Sequence, residues 1–394
     1  VSSAVLQTPG LAQVLAALPE ARLVGGAVRD ALAGLPVADI DLASPAPPDA
    51  VIRALEAAGL RAVPTGLAHG TITAVSEGRP FEITSLRRDD TTDGRHAAVS
   101  WTDDWRQDAG RRDFTINAMS MDRAGQVFDY FGGRDDLAAG RVVFVGDAAA
   151  RVAEDYLRIL RFFRFVARYQ IGAPDPRAVA AVEAGIPGLA ILSAERVWSE
   201  LKRILAAPDP VPAVRLMREL GVLAAILPEG AACERLADLV AGGAPPDAML
   251  RLAALLTGSH EAVSARLKLS SAEAGRLAGL RTGGTPRPGD TAADLRRMLA
   301  DEPAGMLIDR TWLAGPRGAD WVALRERLAA MTKPVFPLVG RDAIALGAAP
   351  GPHIGAALRE TRAWWLQGGC TADPASLRQH LAAILGVPFW PRAR

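Results

Sequence analysis

Apolar residues change their spacing near residue 147, and that change limits the chain to a mixed α/β segment followed by a helical one. Before it, short β-type runs, ARLVGG (21–26), ADIDLAS (38–44), GTITAV (70–75) and PFEITSL (80–86), alternate with turn residues and helical patterns. The last two runs flank SEGR, whose Gly78 can take positive φ, so they read as an antiparallel hairpin. AMSMD and VFDYF, joined by RAGQ, read as a second hairpin. After residue 147, apolar residues recur every three or four positions through RVAEDYLRILRFFRFVARY, AERVWSELKRILAA, PVPAVRLMRELGVLAAIL and DAMLRLAALLTG, and a last helix is expected near 374–385. A length of 394 residues allows two to three domains. The fold class expected is therefore α+β.

Composition excludes several classes of protein. Hydrophobic residues make up 49% and charged residues 23%, too apolar for a disordered chain. No window nears eighteen uninterrupted apolar residues, so no membrane span is expected. Cys233 and Cys370 give no disulfide framework and neither reads as catalytic; with no basic-then-apolar leader in the sequence, a reducing cytoplasm is expected. A net charge of +1 gives no sign of a polyanionic partner, so such a site must come from local clustering. All but Lys202, Lys268 and Lys333 of the 45 cations are arginine, a bias that genome composition explains as well as function does.

The segment LVGGAVRDALAGLPVADIDLAS carries the most chemistry. A strand ends at Gly25-Gly26, a short helix follows with Arg29 one turn along, and the next strand presents Asp39 and Asp41. Residues i and i+2 of a strand share a face, so the two carboxylates are expected side by side with Ile40 buried opposite. Two such anions repel unless a cation neutralises them, and hard oxygen ligands suit Mg²⁺ shared with substrate phosphates. The glycine turn lets backbone amides approach a phosphate, with Arg29 adding charge. A lone D-x-D or Gly-Gly is ordinarily a solvated edge or a plain turn; their combination points to a site. Glu82 is the candidate third carboxylate of a two-metal arrangement, its strand expected beside that of Asp41; the alternative is an outward-facing strand glutamate.

Four motifs in order, GGAVRD with its D-x-D, RRDFTINAMSMD (111–122), EDYLRILRFFRF (154–165) and LSAERVWSELKRIL (192–205), resemble those of the class II nucleotidyltransferases. That group comprises the bacterial tRNA CCA-adding enzymes and bacterial poly(A) polymerases, within the DNA polymerase β superfamily. The resemblance covers residues 22–205, about half the chain. It implies a polymerase-β-like nucleotidyltransferase head with a mixed sheet (1–146), a helical neck that recognises the base (147–210) and a helical body and tail that bind tRNA (211–394). It also implies a template-free reaction in which the tRNA 3′-hydroxyl attacks CTP twice and ATP once, releasing pyrophosphate. The tRNA acceptor end, CTP and ATP are the expected partners, with no DNA and no membrane. Carried over by position, Asp39 and Asp41 would bind Mg²⁺, Gly26 and Arg29 the triphosphate with Gly25 in the same turn, and Asp155 and Arg158 the Watson–Crick edge of the base. Arg112, Arg161 and Arg164 would lie near the nucleotide, and Glu195 and Arg196 would brace the helix bearing Asp155.

Physical chemistry supports those roles. A carboxylate accepts from the amino group of cytosine or adenine while a guanidinium donates to ring acceptors, so Asp and Arg together can stand in for a template base. On a continuous helix Arg158, Arg161, Arg164 and Arg168 fall within about 120°, with Asp155 one step beyond. Leu160, Phe163, Val166 and Ala167 supply apolar surface away from them. Arg111 and Arg112 can approach phosphate, Asp113 can cap the next turn or hold an arginine, and Asn117 can bond a ribose or simply form a turn. Residues 87–110, mixed in charge and without periodicity, read as a mobile loop, with His96 a polar loop residue; the resemblance implies that a flexible loop here helps the switch from C to A addition. His69 is expected at a strand start. The alternatives are a poly(A) polymerase of the same group, a partial enzyme adding only CC or only A, and, further off, a noncatalytic RNA-binding relative.

Overall fold

In the computed structural model, which describes residues 3–37, 39–92 and 97–388, the chain forms two compact units, Val1–Pro228 and Glu229–Arg394. The first begins with α1 (Ser3–Leu6), α2 (Leu11–Ala17), β1 (Arg22–Val24), α3 (Gly26–Leu32), β2 (Asp41–Ser44), α4 (Pro48–Ala57) and β3 (Arg61–Gly66). It continues through β4 (Thr71–Ser76), β5 (Arg79–Ser85), β6 (Arg87–Thr92), β7 (Ala97–Trp101), α5 (Trp105–Gly110), β8 (Ser120–Met121) and β9 (Val127–Phe128). Seven strands form one sheet in the order β3-β4-β5-β2-β1-β8-β9. β2 and β5 run parallel and every other neighbouring pair is antiparallel.

Alternation along the strands decides which face carries chemistry. Phe81 and Ile83 of β5 are buried while Glu82 between them is exposed, and Leu23, Leu42 and Ile72 fill the same core with Leu11 and Val14 of α2 and Val51 and Leu55 of α4. Each fully buried aliphatic side chain contributes about 1.5–3 kcal/mol. The helices cover one face, and Asp41 and Glu82 stand on the other. Both expected hairpins are present: β4 and β5 turn tightly at Glu77-Gly78, both with positive φ (50° and 74°), and β8 pairs with β9.

The stretch 87–110, expected as a loop, is instead a two-stranded ribbon of β6 and β7 followed by α5. Among the described residues the ribbon forms a separate sheet that pairs with no strand of the main one. Trp101 at its end closes against Gly70, where a Cβ would meet the indole at 2.5 Å. His96 lies outside the described residues.

The unit ends with α6 (Gly133–Ala138), α7 (Ala148–Glu154), α8 (Leu157–Tyr169), α9 (Pro176–Gly185), α10 (Ala194–Leu205), α11 (Val211–Glu219) and α12 (Val222–Ile226). The helix read as continuous through 151–169 is broken: Asp155 is extended (φ −155°, ψ 106°) and its Oδ1 accepts from the Leu157 N–H, so it starts α8. Apolar positions on both sides of the break pack inward, which is why periodicity alone did not reveal it. Phe114 meets Phe144, Phe162 and Phe165 at ring distances of 4.7, 6.4 and 5.0 Å, locking the 111–117 segment to α8.

The second unit, among its described residues, is helical. It comprises α13 (Cys233–Ala241), α14 (Ala248–Leu255), α15 (His260–Arg266), α16 (Ser271–Thr282), α17 (Ala292–Asp301), α18 (Ala304–Ala314), α19 (Ala319–Ala330), α20 (Gly340–Ala345), α21 (Pro352–Gln367) and α22 (Pro374–Leu385). Capping boxes start α16 (Ser270, Glu273) and α17 (Thr291, Asp294). No helix among the described residues is long and apolar enough to cross a membrane.

Candidate active site

The acidic residues come from the parallel pair of central strands. Asp41 opens β2 and lies directly across from Glu82 on β5, so both side chains leave the same face of the sheet. Asp39 precedes the strand rather than belonging to it, a departure from the strand geometry expected for D-x-D, and Ile40 packs toward the core. Burial pushes the Asp41 carboxyl up, the charges of Glu82 and Asp39 push it further, and Arg112 opposes them. Among the described residues no three His, Cys, Asp or Glu side chains converge tightly enough to hold a metal ion alone. The donors still fit a hard divalent cation: they are carboxylates that repel one another, and substrate phosphates and water would complete the shell.

Beside them, β1 ends at Val24 and is followed by Gly25, whose φ of 62° suits glycine and where a Cβ would lie 2.9 Å from Arg112 Nη1. α3 starts at once with Gly26 and carries Arg29, which is buried. Arg29 donates from Nη1 to Asn117 Oδ1 (2.6 Å) and from Nε and Nη2 to the two oxygens of Asp30 (3.0 and 3.1 Å).

The 111–117 segment forms the middle of the site. Asp113 Oδ1 accepts from the Phe114 N–H and from Asn117 Nδ2, while Oδ2 accepts from Arg161 Nε at 2.7 Å and Nη2 at 2.5 Å. Burial pushes this carboxyl up, but the Arg161 charge and the hydrogen bonds outweigh it and hold it below the usual range. Asn117 thus links Arg29 to Asp113 through its side chain, at the wall of the cavity that Arg29 also lines. Arg111 and Arg112 both pair with Asp108 of α5, a carboxylate only 3% exposed that sequence reasoning missed because only the fold brings α5 beside them.

α8 supplies the remaining arginines. Asp155 Oδ2 accepts from Arg196 Nη2 of α10 at 2.7 Å, the brace that the sequence led us to expect. Arg158 donates to Glu154 and to the carbonyls of Arg151 and Arg111. Arg164 pairs with Glu200 of α10, another nearly sequestered carboxylate (3% exposed) that the sequence did not single out. Arg168 lies elsewhere, lining a separate cavity with Arg215.

A single cavity of about 700 Å³ brings these pieces together. Its walls include Gly25, Gly26, Arg29, Asp39, Asp41, Arg112, Asp155, Arg158, Arg161 and Arg164, along with Arg196, Arg203 and Phe165. Glu82 does not line it; with Asp41 it borders two adjoining cavities, one of which includes His69. His69 ends a single 3₁₀ turn just before β4, as expected for a residue at a strand start. Chemically, the arrangement offers carboxylates for a cation, guanidiniums for phosphate and an Asp with an Arg for a base edge.

Comparison with known proteins bears on this geometry. Residues 21–143 match the family model described as the poly A polymerase head domain, and residues 173–234 match the one described as a probable RNA and SrmB-binding site of polymerase A. The human protein named CCA tRNA nucleotidyltransferase 1, mitochondrial, is 36% identical over 375 residues, covering 92% of this chain and 86% of its own length. A CCA-adding enzyme of Geobacillus thermodenitrificans is 39% identical over 207 residues, covering 52% of this chain and 50% of that one. The crystal structure of the Bacillus stearothermophilus CCA-adding enzyme in complex with CTP superposes with a TM-score of 0.76 at 25% identity, covering 96% of this chain and 98% of that one.

Proposed function

The chain belongs to the CCA tRNA nucleotidyltransferase family, and on that premise we propose that it adds C, C and A to the 3′ end of tRNA from CTP and ATP. In each addition the RNA 3′-oxygen forms a bond to the α-phosphorus of the nucleotide, the bond from that phosphorus to the bridging oxygen breaks, and pyrophosphate leaves. The observation that carries the reading is one cavity lined both by Asp39 and Asp41 and by Asp155 and Arg158. A nucleotide in it can meet carboxylates at its phosphates and a hydrogen-bonding pair at its base.

Within this reading each residue has a defined role. The Gly25-Gly26 turn and Arg29 grip the triphosphate, with Arg112 beside them. Asp39 and Asp41 would hold Mg²⁺, which when bound supplies charge stabilisation for the phosphates and lowers the pKa of the attacking hydroxyl. Glu82, across from Asp41, would be the third carboxylate of a two-metal arrangement. Asp155 accepts from the base amino group and Arg158 donates to a ring acceptor, with Arg196 keeping Asp155 in place. Arg161 and Arg164, each held by a carboxylate (Asp113 and Glu200), turn their remaining donors to the nucleotide. Residues 1–146 would serve as the catalytic head, 147–210 as the base-reading neck and 211–394 as the tRNA-binding body and tail. Free Cys233 and Cys370 fit a reducing compartment, and we place the reaction in the cytoplasm.

The test offers the enzyme a tRNA lacking its terminal CCA, or an oligo(A) primer, with Mg²⁺ and CTP, ATP or both. Ordered C, C, A incorporation on tRNA alone is expected. Long A tracts on either primer would make it a poly(A) polymerase, incorporation stopping at CC or confined to a single A would make it a partial enzyme, and no incorporation would overturn the reading.

A further inference from the structure

Arg29 is held by more than the cavity requires, and one of the groups that holds it comes from the far end of α8. The Tyr169 hydroxyl donates to Asp30 Oδ1 at 2.5 Å. The same oxygen accepts from Arg29 Nε, and Asp30 Oδ2 accepts from Arg29 Nη2. The guanidinium carbon also lies 4.7 Å from the centroid of the Tyr169 ring and 5.1 Å from that of Phe165, close enough for cation–π contact. Asp30, Asn117 and the two rings therefore fix the plane of Arg29.

Three of the five guanidinium N–H groups are used in these bonds, which leaves two for a ligand in the cavity that Arg29 lines. A guanidinium so constrained offers the remaining donors in one orientation, whereas a mobile one pays entropy on binding. Asp30 stays ionised in this arrangement, since burial pushes its carboxyl up but hydrogen bonds from Arg29 and Tyr169 and the nearby arginine charges outweigh it. Burial first, then Asp30, push the Tyr169 phenol up to about 12 despite Arg29, so Tyr169 remains the donor at any working pH.

We propose that Tyr169 is a positioning residue: through Asp30 it aims Arg29 at the triphosphate, so the helix that carries Arg158 also sets the grip on the phosphates. The proposal rests on the reading of Arg29 as a triphosphate contact. The Tyr169 hydroxyl touches no substrate in this scheme and acts through two intervening side chains.

The experiment is a double-mutant cycle in the full chain, with KM and kcat measured for CTP and for ATP on suitably trimmed tRNA. Tyr169→Phe keeps the ring and removes only the hydroxyl; it should raise KM for both nucleotides roughly tenfold while leaving the CTP to ATP ratio within about twofold. Asp30→Asn, which keeps an acceptor for Tyr169 but loses the charge that orients Arg29, should do the same. In an Arg29→Lys background, Tyr169→Phe should add less than about twofold, because the group it positions is gone. If Tyr169→Phe lowers the melting temperature but leaves both KM values alone, or if its effect is undiminished in the Arg29→Lys background, the positioning role is overturned. If Arg29→Lys itself leaves both KM values unchanged, the triphosphate assignment of Arg29 fails and the proposal with it; if Arg29→Lys raises them and Tyr169→Phe does not, the failure belongs to Tyr169 alone.

Discussion

Asp113→Asn removes one charge from the centre of the site and changes almost nothing in volume. In the wild-type chain Oδ1 accepts two neutral donors and Oδ2 accepts two N–H groups of Arg161. An asparagine that keeps its oxygen toward Phe114 and Asn117 turns its amide N–H groups toward Arg161, donor against donor. Breaking a buried ion pair from one side costs about 3–5 kcal/mol. The Arg161 side chain is 33% exposed, so water recovers part of that, and about 3 kcal/mol is the expectation. For a unit the size of Val1–Pro228, each kcal/mol moves the midpoint by roughly 2–4 °C, which gives a fall of roughly 6–12 °C in calorimetry of the full chain. The pH dependence has a definite sign. Asp113 is held below its ordinary value of 3.8, so its stabilisation is complete above that pH and is lost as pH falls through the lower value set by the fold. The gap between wild type and variant should therefore stay level from pH 7 to 5 and close only below about pH 4. A gap under about 2 °C at pH 7, or one that already shrinks between pH 7 and 5, would refute the reasoning.

Neighbouring residues give three further expected outcomes. Asp41→Asn should cut incorporation by about a thousandfold while holding or raising the melting temperature, because it removes a charge that burial, Glu82 and Asp39 all disfavour; near-normal turnover would reject its place at the cation. Arg158→Ala should change the CTP to ATP ratio of kcat/KM by at least about tenfold with a smaller effect on pyrophosphate inhibition, and an unchanged ratio would count against side-chain base reading. Gly25→Ala places a methyl 2.9 Å from Arg112 at a φ of 62°, so a loss of about 1–3 kcal/mol and a raised nucleotide KM are expected; a variant that melts and binds like wild type would show the turn to be slack.

What could be read from the sequence was what local rules dictate. SEGR gave a two-residue turn, the strand run PFEITSL put Glu82 beside the strand of Asp41, and the order of motifs supplied Asp39, Asp41, Asp155 and Arg158 as candidates. Two features were hidden because the pattern that marks an element was absent or misleading. The ribbon of β6 and β7 is a separate two-stranded sheet whose mixed-charge sequence carries no apolar alternation to mark its strands. The break at Asp155 sits between two helices with compatible apolar spacing, and the sign of it was a single capping aspartate. Asp108 and Glu200 were hidden for a different reason: nothing local says that an aspartate on α5 will meet Arg111 and Arg112, or that a glutamate on α10 will meet Arg164.

Those two carboxylates, together with Asp113, Glu154 and Asp155, bear on a question that composition posed. A chain expected to hold a triphosphate and an RNA end carries a net charge of only +1. In the cavity the arginines are matched: Arg161 with Asp113, Arg164 with Glu200, Arg196 with Asp155, Arg158 with Glu154, and Arg111 and Arg112 with Asp108. Several guanidiniums crowded into about 700 Å³ without partners would repel one another and swing outward. A carboxylate paired with each holds it in place while leaving it donors for a ligand. The site gives up long-range attraction, which salt screens in any case, and gains donors already aimed where phosphate charge will appear, the form of electrostatic stabilisation that needs no reorganisation when the nucleotide reacts. Local pairing of its arginines is thus the expected companion of a preorganised anion site, and a uniformly basic cavity would be the weaker solution.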